Sequence, residues 1–408
     1  MSISDRQYEV NSIHFKVYME LNLRQPHPLQ PDKRGINLRA LTMLLATAMK
    51  LAGSACTWMM KFLFPFMRQS RYALRLAAIG LCACTVFYPG GPAQAVEGGS
   101  GVYALGLTGP QAGIMPDPGT YVGYNLYYYK GDATANVSLS GKVPIPGTGF
   151  ELPAQLNGSV EAEAESFAHI LTMTHVFKKE LMGAKLGLSV WVPYVDTDLT
   201  LTGNGVLSLT RPLGGTLDIP ISGSTERSEN GVGDTTFIGM MGWHRGSMHY
   251  MAMLNVYVPT GEYDKNQAVN VGRNHWAIDP MLGVTYLNEK IGLELSAAAG
   301  ITFNLENSDT DYKSGEEFHL DLAVIQHLSD KFHLGLVGYV YNQLSGDSGS
   351  GAADDFKGRV YAWGPVIGAT IPLWQKHNLF LKGRYYNEFD ALNRLEGEVY
   401  LFTATVNF

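Results

Sequence analysis

Seven ionisable residues of the C-terminal half sit within alternating stretches, each between apolar or small neighbours: Asp279, Glu294, His319, Asp321, Arg359, Lys382 and Arg384. Successive side chains of a strand point to opposite faces, so parity assigns each of them to the face opposite its apolar neighbours. The acidic members fall between residues 275 and 328 and the basic ones between 357 and 389. Enclosed together, they would set up a field across a lumen that orients a solute. The same residues also suit buried pairs that satisfy the interior of a narrow barrel.

Catalytic signatures are missing. There is no G-x-S-x-G, H-E-x-x-H or P-loop pattern in the chain. His169, His175, and His319 with Asp321 are the residues from which a hydrolytic site could be built. A barrel-embedded lipid hydrolase needs a serine, a histidine and an orienting polar group together at the lipid-facing rim. These histidines mostly share a face with other polar groups, and no triad assembles. Gly231-Val232-Gly233-Asp234 opens a strand rather than a helix, which makes it a loop-to-strand bend instead of a nucleotide loop. The three cysteines, Cys56, Cys82 and Cys84, all precede this region, so it has neither a disulfide framework nor a cysteine metal site. The chain reads as a non-enzyme, with no catalytic residues, no metal and no cofactor.

The elements that would position the ionisable residues are strands. Alternation marks 120–131, 164–177, 184–195, 233–245, 248–260, 275–287, 291–305, 317–328, 332–344, 357–371, 378–389 and 396–408. Connections between them alternate long and short. About thirty polar residues follow the first strand, and a second long loop runs to about Asn230. In contrast, Gly246-Ser247, Asn288-Glu289-Lys290 and Ser329-Asp330-Lys331 make tight turns. That sorting predicts a transmembrane antiparallel up-and-down β-barrel of about twelve strands, with short periplasmic turns and long extracellular loops. In 291–305, Leu293, Leu295, Ile301 and Phe303 would meet lipid while Glu294, Ser296, Thr302 and Asn304 face a polar lumen. Tyr121, Tyr127, Trp191, Tyr194, Tyr257, Trp276, Tyr286, Trp363, Trp374 and Tyr385 suit interfacial girdles. Twelve strands lie between a filled barrel and an open porin, which predicts a small or obstructed pore.

The first 95 residues are of another kind. Met67–Ala95 reads as a secretory signal peptide: Arg68, Arg71 and Arg75, an apolar run from Leu76 to Phe87, and an Ala93-Gln94-Ala95 cleavage box. The apolar run is shorter than the ~20 residues a helical span needs. Leu81-Cys82-Ala83-Cys84 is a weak lipoprotein box. Residues 1–66 read as an upstream extension outside the fold. Without the first 95 residues the chain holds 19 basic and 33 acidic residues, a net charge of −14 that excludes nucleic acid as a partner. Residues 96–119 are apolar and rich in Gly and Pro, with Val102, Tyr103, Leu105, Leu107, Ile114 and Met115. They suggest a plug within the lumen rather than a solvated leader, ahead of a barrel over 120–408.

The stretch ends in EVYLFTATVNF, where Tyr400, Phe402 and Phe408 share one lipid-facing row. The last strand must pair with the first to remove an edge.

The segments GVYALGLTGPQAGIMPDPGTYVGYNLYYYKGD (101–132), GVGDTTFIG (231–239) and NVYVPTGEYD (255–264), with the hairpin series to Phe408, resemble the phenol meta-pathway degradation (MetA-type) family. The resemblance covers nearly all of 96–408. The Gly-Asp before one strand and the Pro-Thr-Gly after the next are its more specific motifs. It implies an outer-membrane barrel encoded near aromatic-catabolism enzymes, a transporter of aromatic or hydrophobic compounds rather than an enzyme. It also implies that the terminal aromatic row, Tyr400, Phe402 and Phe408, is an assembly signal. The expected partners are outer-membrane lipid and lipopolysaccharide, a small-molecule solute and the barrel-assembly machinery, in the outer membrane of a Gram-negative bacterium. A structural or adhesive barrel with acidic loops is the competing reading, and a barrel-embedded lipid hydrolase the third.

Overall fold

The computed structural model describes residues 101–408 apart from 146–149, 213, 268, 351, 353–356 and 375–376. The expected signal peptide, the extension before it, the three cysteines and residues 96–100 lie outside the described residues. The strands are β1 (Gly119–Pro144), β2 (Glu151–Leu181), β3 (Ala184–Thr210), β4 (Thr216–Val232), β5 (Thr235–Arg245), β6 (Met248–Val258), β7 (Ala277–Asn288) and β8 (Leu293–Asn304). They continue as β9 (Tyr312–Lys313), β10 (Glu317–Ser329), β11 (Phe332–Gln343), β12 (Ser348–Gly349), β13 (Arg359–Pro372), β14 (Asn378–Leu392) and β15 (Glu396–Asn407).

All but β9 and β12 belong to one antiparallel sheet. β3 pairs with β5 along Lys185–Trp191 and with β4 along Tyr194–Thr210, so β4 and β5 share one position in the ring. Twelve positions result, closed where β1 meets β15 from Tyr121↔Asn407 to Asp132↔Glu396. The Phe408 amide donates to the Thr120 carbonyl at 2.7 Å, and the Thr120 amide returns a bond to the Phe408 carbonyl. The ring therefore has no free edge. One end carries the tight turns. Met182 (φ 51) and Gly183 (φ 70) take the left-handed geometry that a two-residue hairpin loop requires.

Burial follows parity. In β8, Glu294, Ser296, Ala298, Thr302 and Asn304 are buried while Leu295 and Phe303 are exposed. In β10, Glu317, His319 and Asp321 are buried while Leu322 and Val324 are exposed. The outer wall carries Leu188, Phe237, Leu282, Leu336, Ile367 and Phe402, with Leu282 66% exposed. An apolar band around a whole barrel far exceeds the patches that water-soluble monomers expose. A closed ring satisfies its own backbone groups, as hydrocarbon demands. The molecule is a transmembrane β-barrel; no helix of the described residues is long and apolar enough to cross a membrane.

Two expectations are corrected. Not all the aromatics form girdles. Trp276, Trp363 and Trp374 face outward, but Tyr257 is buried inside. Tyr121 and Tyr127 pack against interior clusters. The Trp191 indole donates to inward-facing Ser189. The two long loops are not loops either. β1 and β2 stay paired from Gly119↔Val176 up to Pro144↔Glu151, and β3 and β4 up to Thr210↔Thr216. Four strands thus project beyond the ring, by about 40 Å along β1 at ~3.3 Å per residue. Their composition hid them. Ala133, Ala135, Val137, Ala154, Leu156, Val160, Leu207 and Leu209 line one buried face. Ser, Thr, Asn and the acids Glu161, Glu163, Asp196 and Asp198 line the other. Small residues and hydroxyls lower the mean hydropathy without breaking the alternation.

The two motifs that stood out in the sequence meet in space. Asp234, between β4 and β5, accepts the Gly261 amide at 2.8 Å on one carboxylate oxygen and the Arg273 amide at 2.7 Å on the other. The Thr260 hydroxyl accepts the Thr235 amide at 2.9 Å. In the same loop, Asp264 is held below the usual carboxylate range by donors from Asn266. The Gly-Asp run is a clamp between stacked strands, not a nucleotide loop. Gly261 and Gly272 touch backbone to backbone; a Cβ on Gly272 would lie 2.7 Å from the Gly261 carbonyl carbon. Gly272→Ala is expected to destabilise the barrel by about 1–3 kcal/mol, as overpacking does. The temperature of the heat-induced gel shift measures this, and an unchanged transition would refute the clamp.

Candidate functional site

Residues 101–118 run through the space that the strands enclose. A chain without strand pairing must find other partners for its amides, and the wall supplies them. The Gly106 and Thr108 amides donate to Asp321 at 3.1 and 3.2 Å. The Gln111 amide donates to Glu294 at 2.7 Å, and the Gly113 amide to the Thr285 hydroxyl at 2.9 Å. Carbonyls are met from the opposite wall. Arg384 donates to Gly106 O at 2.7 Å and Leu107 O at 2.8 Å, and the Tyr386 hydroxyl to Gly106 O at 2.8 Å. Lys185 pairs with Asp117 at 3.0 Å. Tyr103, Leu105 and Met115 are buried, while Leu107 and Ile114 are half-buried. Room comes from wall glycines: a Cβ on Gly283 would lie 2.1 Å from Ala112 O, and one on Gly242 2.4 Å from the Met115 Cβ.

Of the seven ionisable residues, five meet in the buried interior: Asp279, Glu294, His319, Asp321 and Arg384. Asp279 Oδ1 lies 3.0 Å from His319 Nε2, and its other oxygen accepts Asn255 at 2.9 Å. Glu294 holds His327 at 2.8 Å and the Ser296 hydroxyl at 2.7 Å. Lys382 is half-buried on the same face; it and His333 flank Gly368 from neighbouring strands. Arg359 departs from the expectation. It sits at the rim, on the outward parity of Trp363, and pairs with Asp390 at 3.1 Å. β13 alternates without a break from Arg359, but its inward face is apolar: Val360, Ala362 and Val366 are buried while Trp363 and Ile367 are exposed, so the face opposite Val360 is the outer one.

A second interior group escaped sequence reasoning. Glu388 accepts the Tyr339 hydroxyl at 2.8 Å, the Tyr129 hydroxyl at 3.2 Å and the Gly397 amide at 2.9 Å. Arg394 lies 3.6 Å from the same carboxylate and 4.9 Å over the Tyr341 ring. Glu388 shares parity with Arg384 and Tyr386, so counting by twos along β14 would have found it. Arg394 lies in a turn, where parity says nothing.

The histidines considered for hydrolysis are engaged elsewhere. His169 bonds the Tyr124 hydroxyl at 2.7 Å, His175 the Thr120 hydroxyl at 2.9 Å, and His319 faces Asp279 and the Tyr103 ring. Among the described residues no group of three or more His, Cys, Asp or Glu could hold a metal ion. Tyr400, Phe402 and Phe408 are exposed on the outer wall.

A profile of the family described as "Putative MetA-pathway of phenol degradation" matches residues 150–403. Among solved structures, an outer membrane channel from Pseudomonas putida F1 overlays with a TM-score of 0.49 at 14% identity, covering 73% of this chain and 99% of that one. A FadL homologue from Pseudomonas aeruginosa overlays at 0.34 and 10% identity, covering 76% and 96%. At TM-scores below 0.5 neither overlay establishes a common fold. No curated protein matches the sequence.

Arg384 ties the interior segment to the wall through two charge-assisted bonds. At about 1.5–3 kcal/mol each, their loss in Arg384→Met is expected to accelerate amide exchange at 105–108 by tenfold or more. The heat-shifted gel band should persist. Hydrogen exchange by mass spectrometry reads the first effect; equal protection in the variant would show that Arg384 does not hold the segment.

Proposed function

We propose that this chain, which belongs to the MetA-pathway phenol-degradation family, is an outer-membrane channel for small aromatic or hydrophobic solutes. Residues 101–118 partly plug it. One observation carries the reading: the interior segment is held by side-chain hydrogen bonds and not by strand pairing. Such contacts can be exchanged one by one while the ring stays intact, because none of the ring's own backbone bonds passes through the segment. A purely structural barrel gains nothing from a filling that can be displaced.

Solute preference follows from the lining. Tyr129, Tyr257, Tyr339, Tyr341 and Tyr386 present rings and hydroxyls beside Asp279, His319, Asp321, Arg384 and Glu388. Aromatic faces supply apolar contact, and the charged groups orient a polar substituent. Lys382 and His333 continue the lumen toward the tight-turn end. That end faces the periplasm in this reading, and the projecting strands face the medium through lipopolysaccharide. The exposed row of Tyr400, Phe402 and Phe408 is available to the assembly machinery.

Planar-bilayer recording tests the channel. The intact protein is expected to conduct weakly, and deletion of 96–118 to raise conductance severalfold while leaving the heat-shifted band in place. No conductance and no solute flux from the deleted form would remove the channel reading.

A further inference from the structure

The Tyr103 side chain is chemically a phenol, and its setting resembles a binding site for one. Its ring lies on the His319 imidazole with centroids 3.7 Å apart and planes 15° apart. Its hydroxyl donates to Asp321 at 2.5 Å and reaches the Thr108 hydroxyl at 2.8 Å. Ring, stacking partner and carboxylate are all buried. His319 is fixed from behind by Asp279 at 3.0 Å, so the shelf has its shape independently of the residue that rests on it.

The carboxylate is unusual in who serves it. Among the described residues, the donors to Asp321 are Tyr103, Gly106 and Thr108, all from the interior segment. Moving that segment leaves a buried carboxylate short of donors, a heavily penalised state. A molecule bringing a hydroxyl on an aromatic ring would replace the bond that Tyr103 gives up, and would restack on His319. An apolar ring of equal size could do only the second. His319 Nδ1, Thr302 Oγ1 and Asn255 Oδ1 are buried without hydrogen-bond partners on the adjoining wall. They are positioned to meet further polar groups of such a molecule. Tyr103 also lies toward the projecting end of the described segment: Gly101 abuts Glu317, the first residue of β10, whereas Gly113 reaches Thr285 near the tight-turn end of β7. A solute arriving from the projecting side meets the Tyr103 end of the segment before the Gly113 end.

We propose that His319 and Asp321 form a recognition site for phenolic solutes, which Tyr103 occupies in the closed channel as a built-in surrogate. An entering phenol competes with Tyr103, takes over its hydrogen bond to Asp321 and releases the upper part of the segment. This rests on the channel reading above, and adds to it the ligand class and the contact that yields.

The test uses the full chain in lipid, with Cys56, Cys82 and Cys84 replaced by serine and a nitroxide on a Gln111→Cys variant, and three probes: p-cresol, toluene and 4-methylcyclohexanol. They represent the tyrosine side chain, the same ring without its hydroxyl, and the hydroxyl without its ring. p-Cresol is expected to mobilise the label at concentrations about tenfold below the other two, the equivalent of one hydrogen bond. Adding Tyr103→Phe removes the competing hydroxyl and should lower the p-cresol midpoint severalfold. Asp321→Asn should abolish the preference for p-cresol over toluene. A response that follows hydrophobicity alone, or a p-cresol midpoint unmoved by Tyr103→Phe, overturns the proposal. Conductance with no p-cresol preference would leave the channel standing without this site. Label release by p-cresol without solute flux would support the site and remove the channel.

Discussion

A backbone amide left unpaired in hydrocarbon costs several kcal/mol, and this constraint shapes the rest of the molecule. It demands that β15 return to β1, and because the two pair antiparallel the number of ring positions is even. Closure then determines sidedness: one parity of every strand meets lipid and the other is enclosed. Asp279, Glu294, His319, Asp321, Arg384 and Glu388 are inside for that reason, not because any local interaction draws them together. Enclosure in turn obliges each of them to find a partner, since a buried charge without one is heavily penalised. The interior segment supplies many of those partners.

The segment therefore stabilises the wall as much as the wall holds the segment. Asp321 takes its donors from 103–108, and Arg384 donates to the Gly106 and Leu107 carbonyls of the segment. Glu388 is the contrasting case. It is served by Tyr129, Tyr339 and Arg394, all of the barrel and its turns, and would stay satisfied if the segment left. The lumen is thus divided into a part that needs its filling and a part that does not.

Where alternation was strong, as in β8 and β10, the sequence alone placed both strand and facing correctly. Its failures have separate physical causes. The projecting halves of β1 to β4 do alternate, but with Ala133, Ala135, Gly158, Gly203 and Gly205 among the apolar positions and Ser, Thr and Asn opposite, so their polarity and glycines read as a loop. Arg359 was misassigned because its apolar neighbour Val360 was given to the lipid face, whereas β13 turns Val360, Ala362 and Val366 into the lumen. Tyr127 and Tyr257 have the composition of an interfacial girdle but face inward, and residue type carries no information about parity. The contacts of Tyr103 were not legible at all. Those with His319 and Asp321 join residues more than two hundred positions apart through a segment with no period of its own.

The projecting strands have a consequence for how such a chain can change. β4 and β5 stack at one ring position with only Gly233 and Asp234 between them, and the projection continues the ring's own hydrogen-bond ladder. Adding or removing residues in pairs on both arms of a projecting hairpin leaves every side chain below it on its original face. A single-residue change on one arm would flip the side chains between it and the hairpin tip, unless a bulge absorbed it. The height of the projection is therefore adjustable in steps of two residues per strand, about 7 Å each, while the lumen below stays the same.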